Sequence, residues 1–373
     1  MTVDWHRAIR QLEQLKVAIP NPFDVGSFTQ TVAKSRGRPI QVVNVDTDRT
    51  HSDLHAFWWA APDVDYIIPN TSAPALVREH GTLHTLSHML LGHVGSSLAE
   101  TIAAQFRFVD ALSVLRRSGH DTRTTRPPTQ QTEGRCFEID AEAVASLIAV
   151  LPDAFPSKVP QQYSFAAARL PAASPEPRTD TDNLYKTIWP LWRSVVHDLS
   201  MPRLESIPPQ PHPTLRRIHL FRMTVEITEG LHHLRRLLDP YIAETARKGA
   251  RNAGLPPGRS SVVAEAACIA VAIDRAAAIH TGDSSLPSRL NELPTGRTVT
   301  WPIKLYSKHA SNGTRWLADI AQTVRTSSIV HEVRRGNSPA SHIARFRRFG
   351  IENFNEQAVK APHPPRTRWA HSC

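Results

Sequence analysis

The chain reads as α+β: a short sheet with a histidine-bearing helix, then an all-α region, then a basic tail. Three observations predict this order. Two apolar runs, His55-Ala56-Phe57-Trp58-Trp59-Ala60 and Asp65-Tyr66-Ile67-Ile68-Pro69, flank the turn-forming Ala61-Pro62-Asp63, which is the patterning of a hairpin. The stretch from Gly81 to His93 places His84 and His88 four residues apart, hence on one face of a helix. From Leu184 onward the composition turns helical, with apolar residues at steps of three, four or six.

Each element can be justified in turn. Trp5, Ile9, Leu12 and Val17 recur at near-helical spacing until Pro20-Asn21-Pro22 stops the first helix. Phe23-Asp24 opens a second, which runs through Phe28 and Val32 and ends before Gly37. Arg38 to Val45 reads as the first strand, ahead of the hairpin. The histidine helix spans Pro74 to His93, and Ser96 to Arg117 (Leu98, Ile102, Phe106, Val109, Leu112) gives another helical stretch. Residues 118–134, rich in Thr, Arg and Pro, predict a mobile loop. Cys136 to Ile148 then combines an acidic start, Glu138 to Glu142, with an apolar continuation.

The chemistry centres on the histidine helix. Imidazoles at i and i+4 can reach a single zinc ion, and the run resembles the histidine helix of zinc-dependent peptidases, His-Glu-x-x-His. One position departs: where that pattern has its general-base glutamate, this chain has Thr85. The longer run His-Thr-Leu-Ser-His-Met-Leu-Leu-Gly-His resembles the ImmA/IrrE family of metallopeptidases. The opening Pro-x-Pro-Phe-Asp and the Arg-Gly-Arg-Pro-Ile entry to the strand resemble its actinobacterial members. The resemblance implies a small zincin-like domain and helix-turn-helix repressors as substrates or partners. It also implies a third metal ligand from the family's Glu-x-Glu-Ala-x-x-x-Ala element, which falls on Glu138 or, alternatively, Asp140. The hairpin would then form the sheet edge above the histidine helix, an edge that in zincins can hold an extended peptide by strand addition.

Six prolines between 152 and 182 predict a linker. The expected organisation is therefore a zincin-like domain at 1–151, a linker at 152–183, a helical domain at 184–327 and a basic, flexible tail at 328–373. In the helical part, Asp239-Pro240 supplies an N-cap followed by proline at the first helical position, and Gly254 marks the end of that helix. Leu-Tyr-x-x-x-x-Pro-Leu-Trp at 184–192, Arg-x-x-Val-Glu-Ile from Arg222 and Leu-Asp-Pro-Tyr at 238–241 resemble an actinobacterial helical domain of unknown function, otherwise attached to the cytosolic side of putative membrane proteins. That resemblance implies a fold and no chemistry.

Charge and composition narrow the classes. A formal charge of +10 and a pI near 9.9 favour acidic surfaces or nucleic acid, and residues 331–373 hold eight Lys or Arg against three Glu. Ala-Arg-Phe-Arg-Arg-Phe at 344–349 interleaves aromatics with guanidiniums, which suits base stacking and phosphate contact, although no helix-turn-helix signature accompanies it. No run approaches the ~18 apolar residues of a membrane span, and the start lacks a signal-peptide core, so a cytoplasmic protein is expected. Three scattered cysteines, Cys136, Cys268 and Cys373, carry no C-x-x-C pairing and read as reduced thiols. The expected function is a degenerate metallopeptidase-fold regulator that binds a partner such as a repressor. The alternative is an active zinc protease in which His80, His93 or Glu142 replaces the missing base.

Overall fold

Two aspartates start the first two helices by accepting backbone N–H groups that the helix itself cannot satisfy. Asp4 accepts from Arg7 N–H at 3.0 Å and begins α1 (Trp5–Leu15); Asp24 accepts from Ser27 N–H at 2.8 Å and begins α2 (Val25–Arg36). Gly37, in the left-handed region at φ 63°, closes α2 and sends the chain into β1 (Ile40–Val42). The computed structural model describes residues 4–44, 56–60, 63–93, 131–154, 178–197, 215–280 and 310–337. The expected helix at 96–117, the proline-rich residues 155–177 and the tail from 338 lie outside these.

The hairpin forms as predicted. β2 (Ala56–Ala60) runs antiparallel to β3 (Asp65–Pro69), with Trp58 opposite Ile67, and β1 joins the other side of β3 in parallel, giving the order β1-β3-β2. β3 is buried along its whole length. Against this sheet lies α3 (Ala75–Leu90), which packs in turn on α4 (Gln131–Ala154). Phe28, Val32, Ile67, Leu86, Met89, Val144, Leu147 and Ile148 meet in the core between them. At a coarse level the molecule is α+β, mostly helical with one short sheet. Among the described residues no helix is long and apolar enough to cross a membrane.

α4 begins earlier and ends later than the sequence suggests. It starts at Gln131, inside the expected loop, and continues to Ala154, past Pro152 at the expected linker boundary. α5 (Arg178–Trp192) passes through Pro190 into a π turn at Arg193–His197, the wider winding that often follows an interrupted helical ladder. α6 (Arg216–His233) packs on that turn at Gly230, where a Cβ would overlap Val195. α6 also packs on α3 and α4, and Trp5 of α1 meets His219 edge-on at 5.6 Å.

These contacts set the compact units, and their division does not follow the proline-rich stretch. One unit comprises Met1–Arg236 with Val299–Thr326, and the other Leu237–Thr298 with Ser327–Cys373. Residues expected to form a separate helical domain, α5, α6 and α9 (Ala310–Thr326), therefore belong to the unit that contains the sheet and the histidine helix. The reason lies in α6, whose Ile218 and Arg222 are buried, as a free-standing domain surface would not require.

The second unit holds α7 (Pro240–Asn252), α8 (Pro257–His280) and α10 (Ser328–Gly336). Asp239 caps α7 by accepting from Tyr241 N–H at 2.9 Å, and Gly254 ends the element at φ 78°, as the sequence predicts. α10 corrects the expectation of a flexible tail from 328. Ser327 caps it, Val330 and Val333 are buried, and Arg334 makes a two-pronged bond to Asp274 at 2.9 and 2.6 Å. Cys268 is buried, and burial pushes its thiol up to about 12, so it is an inert packing residue.

One buried charge fixes the sheet relative to the histidine helix. Asp65 is 1% exposed and faces Arg36 at 3.2 Å, Arg38 at 3.2 Å and the Trp58 indole N–H at 3.2 Å. Arg36 also donates to the Met89 carbonyl near the end of α3 and stacks over Trp58, 5.6 Å from the ring centroid. Asp65→Ala strands two guanidiniums and an indole, which should cost about 3–5 kcal/mol. The check is the urea unfolding midpoint, which should fall with an unchanged slope.

Candidate metal centre

α3 is buried nearly all round, because its polar side chains are satisfied by the helix itself. Thr82, Thr85 and Ser87 each donate a hydroxyl to the carbonyl four residues back, at 2.9, 2.9 and 2.8 Å. That leaves the histidines as its polar face. The Nε2 atoms of His84 and His88 lie 3.0 Å apart, and Glu138 of α4 brings Oε2 to 3.0 Å from His84 Nε2 and Oε1 to 3.4 Å from His88 Nε2. One ligand atom from each of the three lies within 4.8 Å of the others.

The donor set fits a divalent ion. Ligands at ~2.0–2.1 Å in a tetrahedron lie about 3.3–3.4 Å apart. The observed separations of 3.0–3.4 Å need to open by only tenths of an ångström. Two imidazole nitrogens and one carboxylate oxygen are borderline-soft donors, unlike the all-oxygen shells of calcium or magnesium. Of the two sequence candidates for third ligand, Glu138 stands at the histidines, whereas Asp140 turns to α1 and pairs with Arg7 at 2.7 Å.

Each ligand imidazole is held at its other nitrogen. Glu142 Oε2 is 3.1 Å from His84 Nδ1, and His93 Nδ1 is 2.9 Å from His88 Nδ1. Such outer partners fix the tautomer and ring orientation of metal-ligating histidines. Glu142 lies two turns before Ala149 on the buried face of α4, and Ser146 and His80 also reach it, His80 Nε2 at 3.0 Å from both carboxylate oxygens. His93 reaches His88 because α3 ends in a Schellman turn. Gly92, at φ 70°, donates to the Met89 carbonyl, and His93 N–H returns to the His88 carbonyl at 3.0 Å.

The three residues considered as stand-in bases, His80, His93 and Glu142, are thus committed behind the ligands rather than beside the ligating atoms. Thr85 does not face the site chemically, since its hydroxyl is spent on the Gly81 carbonyl. Sequence reasoning found the ligands but not Arg222, whose Nε lies 3.6 Å from Glu142 Oε1. The available signal was Arg222 with Glu226 four residues on, an ion pair set within the apolar run of α6.

Residues 178–326 match a family of unknown function (DUF6545). The match covers the stretch read above as a helical domain of unknown function. No curated protein and no solved structure matches the chain. The DUF6545 stretch contributes α5, α6 and α9 to the first compact unit and α7 and α8 to the second. Arg222 therefore reaches Glu142 from within that stretch.

The electrostatics follow from burial set against these pairs. Burial alone would lower the His84 pKa, but hydrogen bonds and charge from Glu138 and Glu142 outweigh it and raise the value from 6.5 to about 9. Burial works the other way on Glu138, yet His84 and His88 hold its carboxyl well below the usual range. Glu142 is likewise held low, by His80, His84 and Arg222 against its own burial. Burial, reinforced by the neighbouring His88, pushes His93 down to about 4, so it is a neutral imidazole at ordinary pH.

Two measurements follow. A histidine raised from 6.5 to about 9 contributes stability that is fully present below pH 6.5 and is lost as pH climbs through about 9. The metal-free protein should therefore lose stability across that window in urea titrations. A metal must displace the same proton, so its apparent affinity should rise about tenfold per pH unit over the same range. Separately, Gly92→Ala meets open space but an unfavourable φ of 70°, and should cost about 1–2 kcal/mol while loosening His93 from His88.

Proposed function

We propose that this chain is a degenerate, ImmA/IrrE-like regulator: a zincin-like domain that binds zinc on His84, His88 and Glu138 and uses the site to recognise a protein partner, such as a helix-turn-helix repressor, without cleaving it. The observation that carries the reading is the pairing of a complete ligand set with a position 85 that is chemically silent. Two imidazoles and a carboxylate converge, with each imidazole oriented from behind, while the Thr85 hydroxyl is bonded into its own helix at 2.9 Å. The short sheet above α3 and the His-Thr-x-x-His spacing support the zincin-like reading.

Zinc bound by such a set supplies Lewis acidity toward a carbonyl oxygen. Peptide hydrolysis also requires a positioned group that accepts a proton and returns it to the leaving amine, and losing one typically costs 10²–10⁴ in rate. Threonine cannot take that role near neutral pH. His93 and Glu142 orient the ligands, and moving either to the open side would release an imidazole from its tautomer. β2 is an edge strand next to α3, which suits an extended peptide laid along it. A partner peptide would then be held by main-chain pairing along β2 beside an ion carried by His84, His88 and Glu138, and would be left intact.

The test combines metal analysis with a cleavage assay. The purified protein should bind one zinc, and His84→Ala or Glu138→Ala should weaken binding at least a hundredfold. It should leave unstructured peptides and helix-turn-helix repressors intact over hours. Thr85→Glu should gain measurable cleavage. Chelator-sensitive cleavage of a repressor by the unmodified protein, abolished by His84→Ala, would establish the protease instead.

A further inference from the structure

We propose that Arg222, on α6 of the DUF6545 stretch, is a positioning residue of the metal centre: its guanidinium fixes the Glu142 carboxylate, which in turn fixes His84. The inference rests on the reading of His84, His88 and Glu138 as ligands, and it gives the DUF6545 stretch a role at that site.

Glu142 sits inside unit 1 with its two oxygens differently employed. Oε2 meets His84 Nδ1 at 3.1 Å. Oε1 faces Arg222 Nε at 3.6 Å and accepts from Ser146 Oγ at 3.4 Å. His80 Nε2 bridges both at 3.0 Å. Arg222 therefore lies at ion-pair rather than hydrogen-bond distance from the oxygen that His84 does not use, and its charge favours the orientation that leaves Oε2 aimed at the imidazole. A carboxylate there accepts Nδ1–H and leaves the lone pair of Nε2 for a metal, the arrangement that orients metal-binding histidines generally.

Charge makes the same demand. Arg222 is 2% exposed and also pairs with Glu226 at 3.0 Å, which accepts from the Trp192 indole N–H at 2.6 Å. The guanidinium stands between two carboxylates, and the one on Glu142 faces the imidazoles of His80 and His84. Without the guanidinium, the carboxylate loses the ion pair that distinguishes Oε1 from Oε2 and is freer to turn away from Nδ1–H. Lysine cannot reproduce the arrangement, because a point charge does not fork between Glu142 and Glu226 as a planar guanidinium does.

The test uses the full chain with Arg222→Lys and the double variant Arg222→Gln/Glu226→Gln, in which no lone carboxylate is stranded on α6. Two readouts are taken on protein whose far-UV circular dichroism matches the unmodified chain: the imidazole ¹⁵N resonances of His84 without metal, and zinc affinity by competition with a chromophoric chelator. Expected are loss of the hydrogen-bonded Nδ1–H signature and a 10–100-fold weaker zinc affinity in the double variant, with Arg222→Lys between it and the unmodified protein. If the double variant does not fold, Arg222→Lys decides by the same two readouts. His84 resonances that ignore both substitutions overturn the proposal, whatever zinc does. Unmodified protein that fails to bind zinc, while its His84 resonances still respond to Arg222, overturns the metal reading and leaves the positioning role standing.

Discussion

The first compact unit turns on the buried carboxylate of Glu142. It sits where α3, α4 and α6 meet, and it is the one group that touches His84 of the ligand set, His80 one turn earlier on the same helix, and Arg222 on α6. A carboxylate taken out of water loses several kcal/mol of hydration, which only charged or hydrogen-bonded partners recover. Three elements must therefore arrive in register for it to be stable. The apolar core could tolerate small slides of α4 against α3, since Val144, Leu147 and Ile148 offer contacts that vary smoothly. The carboxylate cannot, because a shift of an ångström breaks hydrogen bonds at 3.0–3.1 Å. The interaction is better understood as fixing geometry than as adding net stability.

That constraint explains why the compact unit does not stop where proline-rich sequence begins. α6 is tied to the histidine helix by charge through Arg222, and to α1 by packing of His219 against Trp5. The chain of contacts continues through Glu226 to Trp192 at the end of α5. The candidate metal site and the DUF6545 stretch share one polar network: two side-chain contacts lead from Arg222 on α6 through Glu142 to His84, and four lead there from Trp192 on α5. Linkage makes the dependence mutual: whatever binds the site also steadies the helices that support it.

Much of this architecture was legible from residue order, because its signals are local. Caps at Asp4, Asp24 and Asp239, glycines after α2 and α7, and the hairpin turn chemistry all act within four residues of the groups they serve. The ligand pair at 84 and 88 is local for the same reason. The third ligand was legible only as a choice between Glu138 and Asp140, two residues apart on one helix, since a helical register error of that size cannot be resolved without knowing which face meets α3. Arg7, 133 residues away in sequence, pairs with Asp140, and Glu138 is the carboxylate that stands at the histidines. Arg222 was only weakly legible as part of the site: its pairing with Glu226 inside an apolar run is a signal, but an arginine and a glutamate at i and i+4 look like a surface pair until the helix is known to be buried. The helix at 328–336 was masked in the same way: its arginines resemble a solvated tail, and only the position of Asp274 turns Arg334 into a packing residue.

What position 85 holds and what His84, His88 and Glu138 hold are physically separable demands on the fold. A glutamate at position 85 would need a reason to leave the interior of a helix that is buried on nearly every side, and it would find one only in the water and metal of a working site. Threonine needs no such partner. Its hydroxyl is satisfied by Gly81, its methyl packs, and the exposure of 5% costs nothing. The ligands have no equally easy replacement. Removing His84 takes from Glu142 and Glu138 the imidazole that joins them, and removing Glu138 leaves the His84 and His88 Nε2 atoms 3.0 Å apart without the carboxylate between them. Threonine at 85 is therefore satisfied within its own helix, whereas the side chain of His84 depends on partners from α4.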